Sequence, residues 1–424
     1  MRISELKEKI ENGALKEYDA LYADIEAAKE RFINAIGKFE KLYGSEREIF
    51  VFSVPGRSEI SGNHTDHNAG CVLAGAIDRD AIAIVAKSTE GQIRVFSEGY
   101  PEDTVLISEA CDANNYARHS SVSLIAGTVN AFTERGYTVG GFDAYITSDV
   151  LKGSGISSSA AYEVMIGNIL NHLYNGGKVS NKRIAELSQY AENVFFGKPC
   201  GLMDQMACAV GGFVYMDFEK PGEAFIEPID FSLSDKGYTL CIVNTGGNHA
   251  DLNEDYASVP AEMRSAAAQL GGEVLRGFSE EDVIKAIPEI RKAAGDRAVL
   301  RALHFVRENK RVQLAREALS AGSIEKFFGA VRSSGHSSFE YLQNVYTTKN
   351  PGEQGLSLAL AITDGFLSAD EGAFRVHGGG FAGTVQAYIK KDRVEDYERL
   401  MNSVFGDGAV MKLNIRPLGA VRLF

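Results

Sequence analysis

The chain has no uninterrupted apolar stretch of about eighteen residues, which argues against a membrane-spanning helix. It has no GxxxxGK[ST] stretch, so it is not a P-loop protein. It has no CxxC pair either. Its five cysteines, Cys71, Cys111, Cys200, Cys208 and Cys241, are odd in number in a long chain, which suits reduced thiols in the cytosol. Basic residues are in deficit, 44 Lys and Arg against 57 Asp and Glu. The net charge of -13 argues against non-specific binding to nucleic acid or membrane. It leaves an anionic substrate open, because a few local donors outweigh a distant average. The first residues, MRISELKEKIENG, alternate charged and apolar types and lack an apolar signal core. These absences together predict a soluble cytoplasmic protein; separately from them, a monomer or weak homodimer acting on small molecules is expected.

What is present is ordinary in bulk, with 45% apolar and 24% charged residues. At 424 residues the chain exceeds what one hydrophobic core usually supports, which predicts two domains. The expected fold is mixed α and β. Apolar residues recur at helical spacing over residues 15–42. IFVFSVPG then reads as a strand stopped by Pro55 and Gly56. CVLAGAI and DRDAIAIVAK read as a pair of strands, and GQIRVFSEG and GFDAYITSDV as two more. Residues 121–132 read as a helix.

Four stretches carry chemistry. GRSEISGNHTDHNAG, residues 56–70, gathers charged and amide groups that are costly to bury without partners. Its HTDH run hints at a metal site but fits neither HExxH nor a zinc finger. LKGSGISSSAA opens a helical pattern; such a loop leaves backbone N–H groups unpaired at the positive end of the helix dipole, a ready anion site. Gly153 and Gly155 let the backbone approach a ligand, and Ser157, Ser158 and Ser159 add hydroxyls for phosphate oxygens or a metal ion. The plainer reading is a serine N-cap. In AENVFFGKPCGLMDQMACAVGG, a helix beginning near Asn181 ends at Gly197 and Pro199, and Asp204 follows among apolar neighbours. Such an aspartate is paired with a cation, active in chemistry, or a helix cap. Finally, GGGFAG fits GxGxxG but leads into a strand-like TVQAYIKK, where a dinucleotide fingerprint requires a helix.

VPGRSEISGNHTDHNAGCVLAGAID, LKGSGISSSAA and RVHGGGFAGTVQAYI follow the order and spacing of the three motifs of the GHMP small-molecule kinases. Within that superfamily the chain most resembles the galactokinases. FFGKPCGLMDQ looks like their FxGxPCGxMDQ segment, RALHFVRENKRVQLAREAL like another of their stretches, and SSGHSS like their serine–histidine element. The resemblance implies two α/β domains (of the α+β type) with ATP and sugar in the cleft between them. It divides the chain into an N-terminal helical extension (1–48), an N-terminal domain (49–225) and a C-terminal domain (226–424) whose last strands return to the first. It implies transfer of the ATP γ-phosphate to the anomeric hydroxyl of galactose or a close relative. The motif-two loop, Gly153, Ser154, Gly155, Ser157, Ser158 and Ser159, would wrap the ATP phosphates. Mg²⁺ would be held by Ser158 or Ser159 and by Glu192, hard oxygen ligands that suit it. Asp204 would face the anomeric hydroxyl, as base or as orienting group, with Arg57 beside it keeping it ionised. Asn63, His64, Asp66, Gly201 and Tyr256 fall where galactokinases contact the sugar.

The departures concern the substrate. The family's glutamate before the motif-one histidine is Asn63 here, the tyrosine after its aspartate is His67, and the asparagine of GR-x-N is Glu59. The motif-two proline is Leu151, no tryptophan is present, and VYTTKNPGEQGLSLAL replaces a cysteine–proline–glutamate–leucine–aspartate run. An asparagine at position 63 would tolerate a C6 carboxylate that a glutamate repels, which brings in galacturonate as an alternative substrate. Two further alternatives are a non-catalytic sugar and ATP sensor and a kinase for another alcohol such as mevalonate or homoserine. The retained SGISSSAA, Glu192, Arg57 and Asp204 argue against the sensor; PCGLMDQ and HTDHN argue against the other alcohols.

Overall fold

The computed structural model describes residues 1–22, 24–150, 155–220, 222–247, 252–368 and 371–424. Two helices come first, α1 (Ile3–Glu11) and α2 (Ile25–Tyr43). The helical spacing over 15–42 is therefore not one helix: a 3₁₀ turn at Ala14–Tyr18 precedes α2. The start of α2 is fixed by Asp24, whose side chain accepts the Ala27 N–H at 3.0 Å. The strands β1 (Phe50–Ser61) and β2 (Cys71–Ser88) follow. Both run longer than the sequence indicated. β1 continues through Pro55 and Gly56, and β2 is a single strand rather than a pair. Both are buried along nearly their whole length, so sheet pairing and burial outweigh the local breakers. Gly56 is needed there, since a Cβ would lie 2.7 Å from the Ile156 carbonyl.

The chain continues with β3 (Gln92–Ser97), β4 (Glu102–Leu106), α3 (Ser121–Glu134), β5 (Gly141–Ser148), α4 (Ser158–Tyr174), α5 (Asn181–Tyr190) and α6 (Met203–Val210). Next are β6 (Phe213–Asp217), β7 (Phe225–Ile229) and β8 (Tyr238–Asn244). A helical run follows, α7 (Asn253–Gln269), α8 (Glu280–Lys285), α9 (Ile287–Ala294), α10 (Asp296–Ser320), α11 (Ile324–Ser337) and α12 (Gly355–Phe366). The chain closes with β9 (Ala373–His377), β10 (Thr384–Lys390), α13 (Val394–Phe405), β11 (Val410–Leu413) and β12 (Val421–Arg422). The strand expected after GGGFAG is β10. No helix among the described residues is long and apolar enough to cross a membrane.

Contacts gather the chain into two units. The first is Met1–Arg57, Ala76–Gly212 and Arg416–Phe424; the second is Ser58–Gly75 and Phe213–Ile415. These units are discontinuous in sequence and differ from a linear division at residues 48 and 225. In the first, the sheet order is β12-β1-β2-β5-β3-β4. Ile3, Leu6, Phe32, Ile36 and Phe39 pack with Ile82, Ile84, Tyr145 and Leu423, so residues 1–48 share this unit's core. β12 pairs with β1 through Phe52↔Arg422 and Ser53↔Val421. In the second unit the antiparallel sheet β11-β8-β10-β9 packs against α12 and α13 through Leu356, Ala359, Tyr397 and Met401. A separate core there joins α7, α8, α9 and α10.

One buried ion cluster ties both chain ends into the first unit. Asp80 accepts hydrogen bonds from Tyr22 (2.8 Å), Arg31 (2.6 Å), Arg416 (3.0 Å) and Ser53. Burial alone would raise its pKa, but Arg31 and Arg416 outweigh burial and hold the carboxyl below its usual range. Replacing Arg416, which is fully buried, leaves an under-compensated charge. Arg416→Met is expected to lower the unfolding free energy by on the order of 3 kcal/mol, read as a reduced urea midpoint.

Candidate active site

Asp204 stands in the first turn of α6, but it does not cap that helix. The N-cap position is Leu202, with no side-chain cap bond. Asp204 is instead gripped by Arg57, at 2.7 Å from Nε to Oδ1 and 2.9 Å from Nη2 to Oδ2. The planar guanidinium matches a carboxylate in this two-point geometry. Arg57 also donates to the Gly155 carbonyl at 2.6 Å, and its own backbone N–H bonds the Ile156 carbonyl at 3.1 Å. Ser157 Oγ donates to Asp204 Oδ2 at 2.5 Å. Desolvation pushes the Asp204 pKa up; Arg57 and Ser157 outweigh it and hold the carboxyl below its ordinary range.

The serine-cap reading of LKGSGISSSAA fails for the same reason. Ser157 occupies the N-cap position of α4 in a left-handed conformation, φ 64°, and makes no cap bond, because its hydroxyl is spent on Asp204. Helices α2, α3 and α5 each have a side-chain cap from Asp24, Ser120 and Ser180. Among the described residues the first turn of α4 has no side-chain cap, the condition under which a helix N-terminus can receive an anion. Gly155, at φ 74°, and Ser158 belong to this turn. Leu151, Gly153 and Ser154 lie outside the described residues.

Glu192 falls in a π-helical turn, Ala191–Phe196, that follows α5. Such turns displace a side chain from the regular helical face and are frequent at functional sites. Its buried carboxylate accepts from Ser159 Oγ (3.1 Å), Lys198 Nζ (3.1 Å) and Gln205 Nε2 (2.7 Å). Ser159, rather than Ser158, therefore meets Glu192. Gln205 also reaches Glu163 at 3.3 Å, while Glu163 Oε1 and Gln205 Oε1 are buried without a hydrogen-bond partner. Burial, then the Glu192 charge, pushes the Glu163 pKa well above its ordinary value. Among the described residues no three His, Cys, Asp or Glu side chains converge as a metal-ligand set. The Ser159 hydroxyl and the Glu192 carboxylate are hard oxygen donors of the kind that suits Mg²⁺, which takes the rest of its shell from phosphate and water. Gly201, just before α6, belongs to this same unit.

The second unit holds Asn63, His64, Asp66 and Tyr256, and the motif-three turn links three of them. The carbonyls of Gly378, Gly379 and Gly380 accept from Asn63 Nδ2 (2.7 Å), His64 Nε2 (2.9 Å) and Tyr256 Oη (2.9 Å). Since a carbonyl only accepts, His64 carries its proton on Nε2 and presents Nδ1 as an acceptor. Desolvation lowers the His64 pKa to about 4. Asp66 is only partly buried, and its Oδ1 accepts the His67 N–H at 2.9 Å. His67 is exposed.

Asn63, expected among the sugar contacts, makes its hydrogen bonds within the protein. It is fully buried, its Nδ2 donates to Glu59 Oε1 at 2.8 Å, and its Oδ1 accepts from Asn344 at 2.6 Å. Its amide is committed inside the protein. The departures at positions 59 and 63 thus face each other: one carboxylate and one amide are kept, with their positions exchanged. Arg375, also buried, pairs with Glu59 at 3.0 Å. Glu163, Gln205, Lys198 and Asn344 were not singled out from sequence. Glu163 alone left a signal, as an acid in an otherwise apolar helical run.

Two predictions follow from this geometry. Asn63→Glu sets a second carboxylate against Glu59 and removes a donor from Gly378, which should cost about 2 kcal/mol or more. The double variant Glu59→Asn/Asn63→Glu should recover part of that loss, with a coupling of about 1 kcal/mol in a double-mutant cycle. The second concerns acid. His304, in α10, is fully buried, and burial lowers its pKa to about 4. Unfolded chains take up this proton near pH 6.5 whereas the native state refuses it, so stability is complete above 6.5 and falls towards 4. At pH 5 the loss from this one group is roughly 2 kcal/mol, and His304→Gln should flatten the fall between pH 6.5 and 5.

Residues 123–212 match the model for the GHMP kinases N-terminal domain, and residues 37–87 match the galactokinase galactose-binding signature. A galactokinase of Streptomyces coelicolor is 32% identical over 373 residues, covering 87% of this chain and 91% of that protein. One from Streptococcus thermophilus is 30% identical over 372 residues, covering 85% and 90%. In fold the chain is similar to the Lactococcus lactis galactokinase solved with galactose, with TM-score 0.77 at 23% identity over 91% of this chain and 98% of that one. A mevalonate kinase structure aligns with TM-score 0.58 at 15% identity, over 86% and 98%. The chain is an enzyme of the galactokinase family, with the GHMP-kinase fold.

Proposed function

We propose that this kinase transfers the γ-phosphate of ATP to the anomeric hydroxyl of galactose. The observation that carries the reading is Asp204, ionised and locked in orientation by Arg57 and Ser157. A carboxylate held below its usual pKa is a weak base, so its main task is to fix the hydroxyl oxygen for in-line attack. Phosphoryl transfer has a loose transition state and draws chiefly on positioning and charge, which suits that task. Arg57 offsets charge that builds on the transferring group. The uncapped turn of Gly155, Ser157 and Ser158 supplies N–H groups to the ATP phosphates, and Gly153 and Ser154 belong to the same motif. Ser159 and Glu192 would hold Mg²⁺, with Ser158 as the alternative hydroxyl. Mg²⁺ when bound neutralises charge on the phosphates. His64, Asp66, Gly201 and Tyr256 are assigned to the sugar.

The galacturonate reading loses its support, because the Asn63 amide is already engaged by Glu59, Gly378 and Asn344. We place the reaction in the cytoplasm, consistent with free thiols at all five cysteines. The test is a coupled ADP-release assay with Mg-ATP and galactose, galacturonate, N-acetylgalactosamine, glucose, arabinose and fucose. Galactose should give the highest kcat/KM; another sugar ahead would displace it as substrate. Asp204→Ala should lose turnover by on the order of a thousandfold while still binding ATP. Wild-type turnover in that variant would sink the assignment.

A further inference from the structure

The RALHFVRENKRVQLAREAL helix and the SSGHSS run have no part in the chemistry above, yet both contribute fully buried polar groups. His304 and Glu308 lie four residues apart on α10, and Ser334 and Ser337 three apart on α11, so each pair shares one helix face. Ser337 Oγ lies 2.9 Å from His304 Nδ1, and Ser334 Oγ donates to Glu308 Oε1 at 2.5 Å. Beyond these serines both α10 side chains reach one short loop. His304 Nε2 lies 3.0 Å from the Asn63 carbonyl. Glu308 Oε1 accepts from the Gly62 N–H at 2.9 Å and from Ser61 Oγ at 3.1 Å, while its Oε2 takes Arg311 Nε at 2.6 Å. The Asn63 carbonyl requires an N–H, so His304 is protonated on Nε2 and accepts the Ser337 hydroxyl's hydrogen bond on Nδ1.

The loop needs such support. Gly62 has φ 100° and His64 has φ 59°, a left-handed conformation that costs a non-glycine residue about 1 kcal/mol. Thr65 Oγ1 bonds the Gly62 carbonyl at 2.8 Å and the Cys71 carbonyl at 2.6 Å, closing the turn from its other side. Every polar handle on residues 61–63 that α10 holds lies immediately before His64.

We propose that His304 and Glu308, set by Ser337 and Ser334, are positioning residues for the sugar: they hold residues 61–63 so that His64 and Asp66 stay fixed for its hydroxyls. This rests on the galactose-kinase reading. His336, the histidine of SSGHSS, is exposed and has no part in it.

The test compares His304→Leu, His304→Gln, Glu308→Gln, Ser334→Ala and Ser337→Ala with the wild type. KM for galactose should rise about tenfold in His304→Leu and Glu308→Gln, with KM for ATP and kcat within about twofold. The serine variants should show smaller rises in the same direction. His304→Gln, which keeps a donor for the Asn63 carbonyl, should recover part of the loss. Urea midpoints measured alongside separate loop placement from general destabilisation; should Glu308→Gln not fold, the serine variants carry the test. An unchanged galactose KM in folded variants, or KM values for galactose and ATP rising together, would overturn the inference. A wild type that turns over no sugar of the panel would overturn the galactose reading itself, and the inference with it.

Discussion

The two-point ion pair between Arg57 and Asp204 constrains a strand, a helix start and a turn of the first unit at once. Arg57 ends the part of β1 that belongs to the first unit, and Asp204 opens α6, 147 residues later. Through Nη1 the same guanidinium fixes the Gly155 carbonyl, and Asp204 draws in Ser157. A strand, a helix start and the turn before α4 are thereby set by one cation. With its hydroxyl on Asp204, Ser157 makes no side-chain cap for α4.

The second unit uses another device, a row of backbone acceptors. Three successive carbonyls in the Gly378–Gly380 turn hold Asn63, His64 and Tyr256. Side chain and backbone both crowd this turn: a Cβ at Gly379 would lie 2.6 Å from the Tyr256 ring, and one at Gly380 would lie 2.0 Å from the Asn344 carbonyl. Glycine is required there by close approach as well as by φ. The run that mimics a dinucleotide fingerprint is a scaffold of acceptors rather than a cradle of donors.

Buried charge in both units is compensated locally. Asp80 is met by Arg31 and Arg416, Glu59 by Arg375, and Glu308 by Arg311. Burial raises the Glu308 pKa, but the neighbouring charges outweigh it and hold the group far below the carboxylate range. Glu163 makes no ion pair among the described residues, and burial with the nearby Glu192 charge pushes its pKa up. The contrast follows from desolvation: a buried acid either finds a cation or keeps its proton.

Much of the fold class and the chemistry was legible in the residues. The motif order, the helix from Asn181, the strand after GGGFAG and the cation demand of Asp204 are local signals, written in spacing and in residue type. Other features were not. β1 passes through Pro55 and Gly56 because it is buried between β2 and β12 in the sheet, and one of those neighbours lies at the far end of the chain. Asn63 and Glu59 each looked like an isolated departure; only the turn of the chain between them sets one against the other. His304 and Glu308 looked like part of an ordinary helix until folding brought them to the Gly62 amide and the Asn63 carbonyl, some 240 residues earlier. The sequence by itself determined which groups can carry charge, donate or accept. Tertiary structure decided which of them meet, because hydrogen bonds and ion pairs act over a few ångströms in space, whatever their separation along the chain.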